Sequence, residues 1–232
     1  MEKMDYIGLV SHEVKTPIAS ICGYADIIRN GLTNEETTMR YANNIYREST
    51  RMSKLVDDMV YMEKAYNDEL IPELNDKVAD RIIINAIDRI KAKYRHLGVL
   101  DIVLTGNAKI MVDETMFEEL MYKLLENCVL HGNNEFKMNP SLPYVSISIK
   151  IIKENERVII QVTDSGKGMS KQVIDKAFEI FYREDKVKSR YMGCNGLGLA
   201  VVRKIITVHG GDCYIESVEG EYTLVRVTLP AK

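Results

Sequence analysis

The sequence predicts a two-part chain: an antiparallel helical hairpin followed by a two-layer α/β sandwich. Three observations carry that reading. Apolar residues recur at three- and four-residue steps through two consecutive stretches that end near residue 66. The pattern breaks between Asn67 and Glu73, with Pro72 marking a boundary. Beyond it helical stretches alternate with strands, most clearly in Val145-Ser146-Ile147-Ser148-Ile149-Lys150-Ile151, where every second residue is apolar. Half-buried strands with amphipathic helices between them make a mixed sheet covered on one face by helices. The expected division is residues 1–67 and 68–232.

Composition narrows the function classes. The chain has 232 residues, 46% hydrophobic content and a formal net charge of -3. That allows one ordinary domain or two small ones with real cores. The absence of a basic block speaks against nucleic acid as the main partner. No apolar run approaches the ~18 residues of a membrane span, and the N-terminus lacks a signal-peptide pattern. Cys22, Cys128, Cys194 and Cys213 are widely spaced, without C-x-x-C, so no zinc site or disulfide framework is indicated. A reduced, cytoplasmic setting is expected. The chain starts mid-pattern, only a few turns before His12, as if it were part of a longer protein whose other segments supply any membrane attachment.

In the first stretch the stripe is Ile7, Val14, Ile18, Ile21, Ala25 and Ile28, and Asn30-Gly31 is a stop signal. Thr33 and Glu36 read as a capping box opening the second helix. Its stripe is Tyr41, Ile45, Met52, Leu55, Met59 and Met62. Two helices joined by so short a loop are antiparallel neighbours. Since one hairpin cannot bury both stripes, a homodimer forming a four-helix bundle is expected, in preference to a hairpin packed on its own C-terminal domain. Further on, helices are predicted over about 78–95 and from the Asp113 cap to about His131, with strands at 99–104, 145–151, 158–163 and 222–229.

Four constellations carry chemistry. Ser11-His12-Glu13-Val14-Lys15-Thr16-Pro17 puts a carboxylate beside a histidine and a hydroxyl one helical turn after it. His12 falls beside the apolar stripe, and Pro17 removes a backbone donor just beyond it. Such a histidine alone reads as structural; nucleotide-type boxes downstream change the weighting. The second constellation is Asp164-Ser165-Gly166-Lys167-Gly168-Met169. Here a carboxylate ends a strand, where it suits an exocyclic amine, and Gly166 and Gly168 let backbone approach a flat ring. A plain turn is the even-odds alternative for that box alone. Third, Gly193-Cys194-Asn195-Gly196-Leu197-Gly198-Leu199 feeds a helix whose free N–H groups suit phosphate. Fourth, Asn127 stands on an otherwise apolar helix, where a Mg²⁺ bridging nucleotide phosphates is a natural partner and a backbone hydrogen bond the plain one.

Taken together, these motifs resemble the transmitter region of two-component sensor histidine kinases, over essentially the whole chain. Ser11–Pro17 resembles the family's phosphoacceptor box, Asn127 its N box, and Asp164, Gly166 and Gly168 its first glycine box. Phe178-Glu179-Ile180-Phe181-Tyr182-Arg183 resembles the phenylalanine box, and Gly196-Leu197-Gly198-Leu199 the second glycine box. His209-Gly210-Gly211 and Val227-Thr228-Leu229-Pro230 are similar to the usual ending.

The resemblance implies a dimeric hairpin followed by a Bergerat-type (GHKL) ATP-binding domain. It implies ATP and Mg²⁺ as cofactors, with Mg²⁺ on Asn127. His12 would attack the γ-phosphorus, Glu13 would take or orient its proton, and the phosphoryl group would pass to an aspartate on a response regulator receiver domain. Thr16 resembles the residue that positions water when such proteins dephosphorylate their regulator. Two positions depart from the family: Lys123 stands where Asn is common, and Leu130 where Lys or Arg is common. Lys123, or Arg183, Lys188 or Arg190 from the region before the second glycine box, is then expected to meet the phosphates, with a solvated Lys123 as the plain alternative. Other Bergerat-fold ATPases lack the Ser11–Pro17 hairpin. A weakly nucleotide-binding scaffold is the alternative from a different class.

Overall fold

The computed structural model describes residues 3–67, 69–95, 100–131, 145–184 and 194–231. Helices α1 (Lys3–Arg29) and α2 (Glu35–Tyr66) form the antiparallel hairpin. Gly31, at φ 66, makes the turn, a conformation that glycine adopts without strain. The cap of α2 differs from the capping-box expectation. Asn34 is the N-cap, its side chain accepting from Thr37 N at 2.8 Å, while Thr33 Oγ1 reaches Thr38 Oγ1 at 2.7 Å. Asn is as good a cap as Ser or Thr, and here it is the residue whose side chain meets the exposed N–H.

Past Pro72 come β1 (Asn75–Val78), α3 (Ala79–Tyr94), β2 (Leu100–Thr105), β3 (Lys109–Val112), α4 (Glu114–Leu130), β4 (Val145–Glu154) and β5 (Arg157–Asp164). Next are α5 (Lys171–Lys176), α6 (Gly198–Val208), β6 (Asp212–Val218) and β7 (Tyr222–Pro230). The main sheet runs β2-β4-β5-β7-β6, with β2 parallel to β4 and the other pairs antiparallel. The short strands β1 and β3 pair separately; neither they nor β6 stand out in the sequence by alternation. Gly98 and Val99, expected at the end of α3 and the start of β2, lie outside the described residues.

Alternation explains the layering. Val145, Ile147, Ile149 and Ile151 of β4 and Val158, Ile160 and Val162 of β5 turn inward, all nearly or fully buried. They meet Ile82, Ile83 and Ile90 of α3, Phe117, Leu120, Met121, Leu124 and Leu125 of α4, and Val201, Val202, Ile205 and Ile206 of α6. Asp113 caps α4 as expected, accepting from Met116 N at 3.0 Å. Buried His209 fastens α6 to that cap. Its Nε2 accepts from Asp113 N at 3.0 Å, which leaves the proton on Nδ1 to donate to Ile205 O at 2.7 Å.

The hairpin also packs on its own C-terminal domain, contrary to the preference drawn from the heptads. Leu55 is buried with Phe181 and Leu197, joined by Val10, Val14, Met59 and Ile180, and Met62 enters the core of the sandwich. The reason is that α2 has two apolar faces. One carries Leu55, Met59 and Met62 onto the sandwich. Val56 and Val60, exposed, lie on another.

Candidate active site

On α1, His12 is exposed, its side chain 78% accessible, while the next residue, Glu13, is buried. Neighbouring helical positions diverge by about 100° around the axis, so one side chain enters the interface as the other leaves it. His12 Nδ1 lies 3.7 Å from Glu13 Oε1. That same oxygen accepts from Arg183 Nη2 at 2.6 Å, and Glu13 Oε2 faces Arg51 Nη2 at 3.7 Å. Arg51 also bonds Glu48 at 3.2 Å. Thr16 Oγ1 donates to the His12 carbonyl at 3.0 Å, one turn back on the helix. Thus His12, Glu13 and Thr16 sit together, and Arg183 is bound to Glu13 instead of reaching toward phosphates.

The nucleotide boxes come from three elements. Asp164 closes β5 and is buried; its Oδ1 accepts from Gly166 N at 2.8 Å. Burial pushes its carboxyl up to about 6, with the Gly166 N–H pulling the other way. Asn127 is half-buried on α4, and its amide makes no hydrogen bond among the described residues. Gly196, Leu197, Gly198 and Leu199 lead into α6, with Gly198 at its first position and Leu197 fully buried beneath. Gly193, Lys188 and Arg190 lie outside the described residues.

The glycines divide by cause. A side chain at Gly166 would meet Asp164 Oδ1 at 2.5 Å and His131 O at 2.6 Å. At Gly168 (φ 65) it would meet Val218 O at 2.0 Å, and at Gly196 (φ 76) the backbone of Phe181 at 2.8 Å. These three let protein backbone approach protein backbone. Gly198 is different: among the described residues nothing lies within 4 Å of the place a Cβ would take. Open space above the first N–H groups of an 11-residue helix suits an anion.

Lys123 overturns both of its expected roles, phosphate ligand and solvated lysine. Its side chain is 5% accessible and its Nζ is 2.5 Å from Asp58 Oδ1 on α2, with Glu119 Oε1 at 3.3 Å. Burial alone would push this ammonium down; Asp58 and Glu119 more than reverse it. A lysine side chain leans toward the helix N-terminus, which takes it from Asn127 toward α2. One turn on, Glu126 bonds Lys54 of α2, Lys93 at 2.8 Å, Tyr94 Oη at 3.0 Å and Tyr122 Oη at 3.1 Å. Burial opposes its ionisation, but the two lysines bring its carboxyl down to about 2. Sequence reading missed Lys54, Asp58, Glu126 and Asn195. A signal existed for three of them: charges in α2 within the apolar stripe, and a Glu inside an apolar α4.

The fold and site define a class: a helical hairpin displaying a histidine, docked on an α/β sandwich with a buried aspartate leading one glycine-rich turn and a second such turn opening a helix. Residues 112–232, more than half of the chain, match the family described as histidine kinase-, DNA gyrase B- and HSP90-like ATPase. Residues 2–66 match the His Kinase A (phospho-acceptor) domain. The chain belongs to the family of histidine kinase-, DNA gyrase B- and HSP90-like ATPases. It is 28% identical over 239 residues to the sensor histidine kinase WalK of Bacillus subtilis, covering all of this chain and 37% of that one. It spans about half or less of the curated relatives it matches. Its fold is similar to that of the Acinetobacter baumannii histidine kinase AdeS, with a TM-score of 0.72 at 18% identity over 95% of this chain and 98% of that one. It is also similar to histidine kinase ThkA in a complex with the response regulator TrrA, with a TM-score of 0.75 at 21% identity, covering 98% and 61%.

Proposed function

We propose that the chain is a protein-histidine kinase that phosphorylates His12 from ATP and passes the phosphoryl group to a response regulator aspartate. The observation that carries this reading is the docked face. The helix displaying His12 lies against Phe181 and Arg183 of the phenylalanine box and Leu197 of the second glycine box. His12 is the nucleophile in its neutral form. Glu13, fixed by Arg183 and Arg51, orients the imidazole through Nδ1. Asp164 receives the adenine amine on the carboxylate oxygen not engaged by Gly166, and the first turn of α6 at Gly198 and Leu199 holds phosphate. Thr16 positions the water that hydrolyses the regulator's phosphoaspartate.

Asn127 fits Mg²⁺: it offers a hard oxygen donor with no protein partner among the described residues. Those residues contain no group of three or more His, Cys, Asp or Glu able to hold a metal. The ion would therefore take its other ligands from phosphate and water, as Mg²⁺ commonly does. When bound it neutralises charge on the transferring phosphoryl group.

Residues 1–67 are the dimerisation and phosphotransfer unit and 68–232 the ATP-binding unit. The exposed Val56 and Val60, one turn apart on α2, are apolar surface for a second hairpin. The unit acts on the cytoplasmic side, where ATP and its four free thiols are at home. No helix among the described residues is long and apolar enough to cross a membrane. Incubation with γ-labelled ATP tests the reading. Acid-labile, base-stable label on the protein is expected; free phosphate alone would make it an ATPase, and neither would leave a scaffold.

A further inference from the structure

One carboxylate of the hairpin reaches two walls of the nucleotide site. Asp58 lies on α2 with its side chain 5% accessible. Its Oδ1 pairs with Lys123 Nζ at 2.5 Å, and its Oδ2 accepts from Asn195 Nδ2 at 2.7 Å. Lys123 is one turn before Asn127 on α4. Asn195, also buried, uses its Oδ1 to accept from Leu197 N at 3.1 Å, and so sets the turn immediately before Gly198. Gly196 in the same turn accepts from Phe181 N at 2.9 Å. Both oxygens of Asp58 are thus committed, one to the helix that bears the N box and one to the loop that opens α6.

We propose that Asp58 is a positioning residue for the nucleotide site, registering the N-box helix through Lys123 and the second glycine box through Asn195 against the hairpin. A partner that fixes both walls raises nucleotide affinity by ordering them in advance. By linkage, bound nucleotide strengthens hairpin docking by the same factor. Buried contacts of this kind interact strongly, so their effects are not additive. The assignment rests on the nucleotide-binding reading above.

The test is calorimetric titration of ADP with Mg²⁺ into the full chain and four variants: Asp58→Asn, Lys123→Met, Asn195→Ala, and Asp58→Asn with Asn195→Ala. Thermal melts identify any variant that is unfolded at the titration temperature. Asp58→Asn and Asn195→Ala should each raise the dissociation constant about tenfold. The double variant should fall short of the product of the two single effects, because both remove the Asp58–Asn195 tie. Lys123→Met keeps the assignment testable if Asp58→Asn does not fold, and should also weaken ADP. Wild type binding ADP while every folded variant binds it equally would reduce Asp58 to interface packing and overturn its positioning role. A tighter complex in Asp58→Asn would also overturn it, since a freed Lys123 would then be a phosphate ligand. A wild-type chain that does not bind ADP would overturn the nucleotide reading itself.

Discussion

Arg183 donates to Glu13 across the interface between hairpin and sandwich, Nη2 to Oε1 at 2.6 Å, with both side chains nearly buried. Glu13 is adjacent to His12, and Arg183 follows the segment that packs under the second glycine box. The pair therefore ties the phosphoacceptor helix to the nucleotide domain. A buried charge left without its partner is costly, so neither residue is replaceable alone.

Glu13→Gln and Arg183→Met should each slow autophosphorylation by about tenfold or more, consistent with roughly 1.5–3 kcal/mol for a charged hydrogen bond. The double variant should fall short of the product of the two effects, because one interaction is lost in both. Initial rates of labelling across the cycle check this. Strictly multiplicative effects would separate Glu13 from Arg183.

Asp164 sets stability against binding. Its folded carboxyl, at about 6, lies above the ordinary value of 3.8, so the folded protein holds this proton more tightly than the unfolded chain does. Ionisation thus subtracts stability as pH rises from about 4 through 6. Asp164→Asn should stabilise the nucleotide-free protein by roughly 1–3 kcal/mol at pH 7.5, with the gain fading toward pH 4. The same variant should weaken ADP and ATP alike by about 10- to 100-fold. Urea unfolding across pH and calorimetry read the two effects. A variant less stable at pH 7.5 would contradict the account.

The Lys54–Glu126 contact behaves oppositely. Glu126, with its carboxyl brought down to about 2 from 4.5, contributes stability above its unfolded value that disappears as pH falls through about 2. Lys54→Met should cost roughly 1–2 kcal/mol at pH 6, because Lys93 remains, and progressively less toward pH 2. A cost independent of pH would assign Lys54 a packing role alone.

Thr16→Ala should leave labelling of His12 within about twofold and slow regulator dephosphorylation by about tenfold or more, the size of one positioned proton or water contact. Release of phosphate from a phosphorylated receiver domain measures it. Loss of labelling with dephosphorylation unchanged would reverse the division of labour.

The architecture was legible in the sequence because periodicity reports burial directly. The 145–151 alternation and the Asp113 cap appear in the structure where the pattern put them. Strands β1, β3 and β6 were not legible: Asn75–Val78 and Lys109–Val112 have four residues each, too few for a period to register, and in Asp212–Val218 the exposed face mixes Asp212 and Glu216 with Tyr214 and Val218 while the inner face carries Ser217 beside Cys213 and Ile215. The site was legible as a set of motifs but not as a contact. Nothing in the spacing of Glu13, Asp58, Lys123 and Arg183 says that they meet across the two domains. Lys123 shows why. A lysine on a mostly buried helix needs a carboxylate, and the nearest one lies on the hairpin, 65 positions away in sequence.

Phosphorylation of His12 is the central claim, and His12→Gln tests it most directly. The full chain and the variant are incubated with γ-labelled ATP and Mg²⁺, and ADP affinity is measured on both samples. The variant should carry no acid-labile label while binding ADP as wild type does, since His12 is exposed and holds no part of the nucleotide site. Persistent acid-labile label on His12→Gln would move the phosphoacceptor to another histidine and contradict the account.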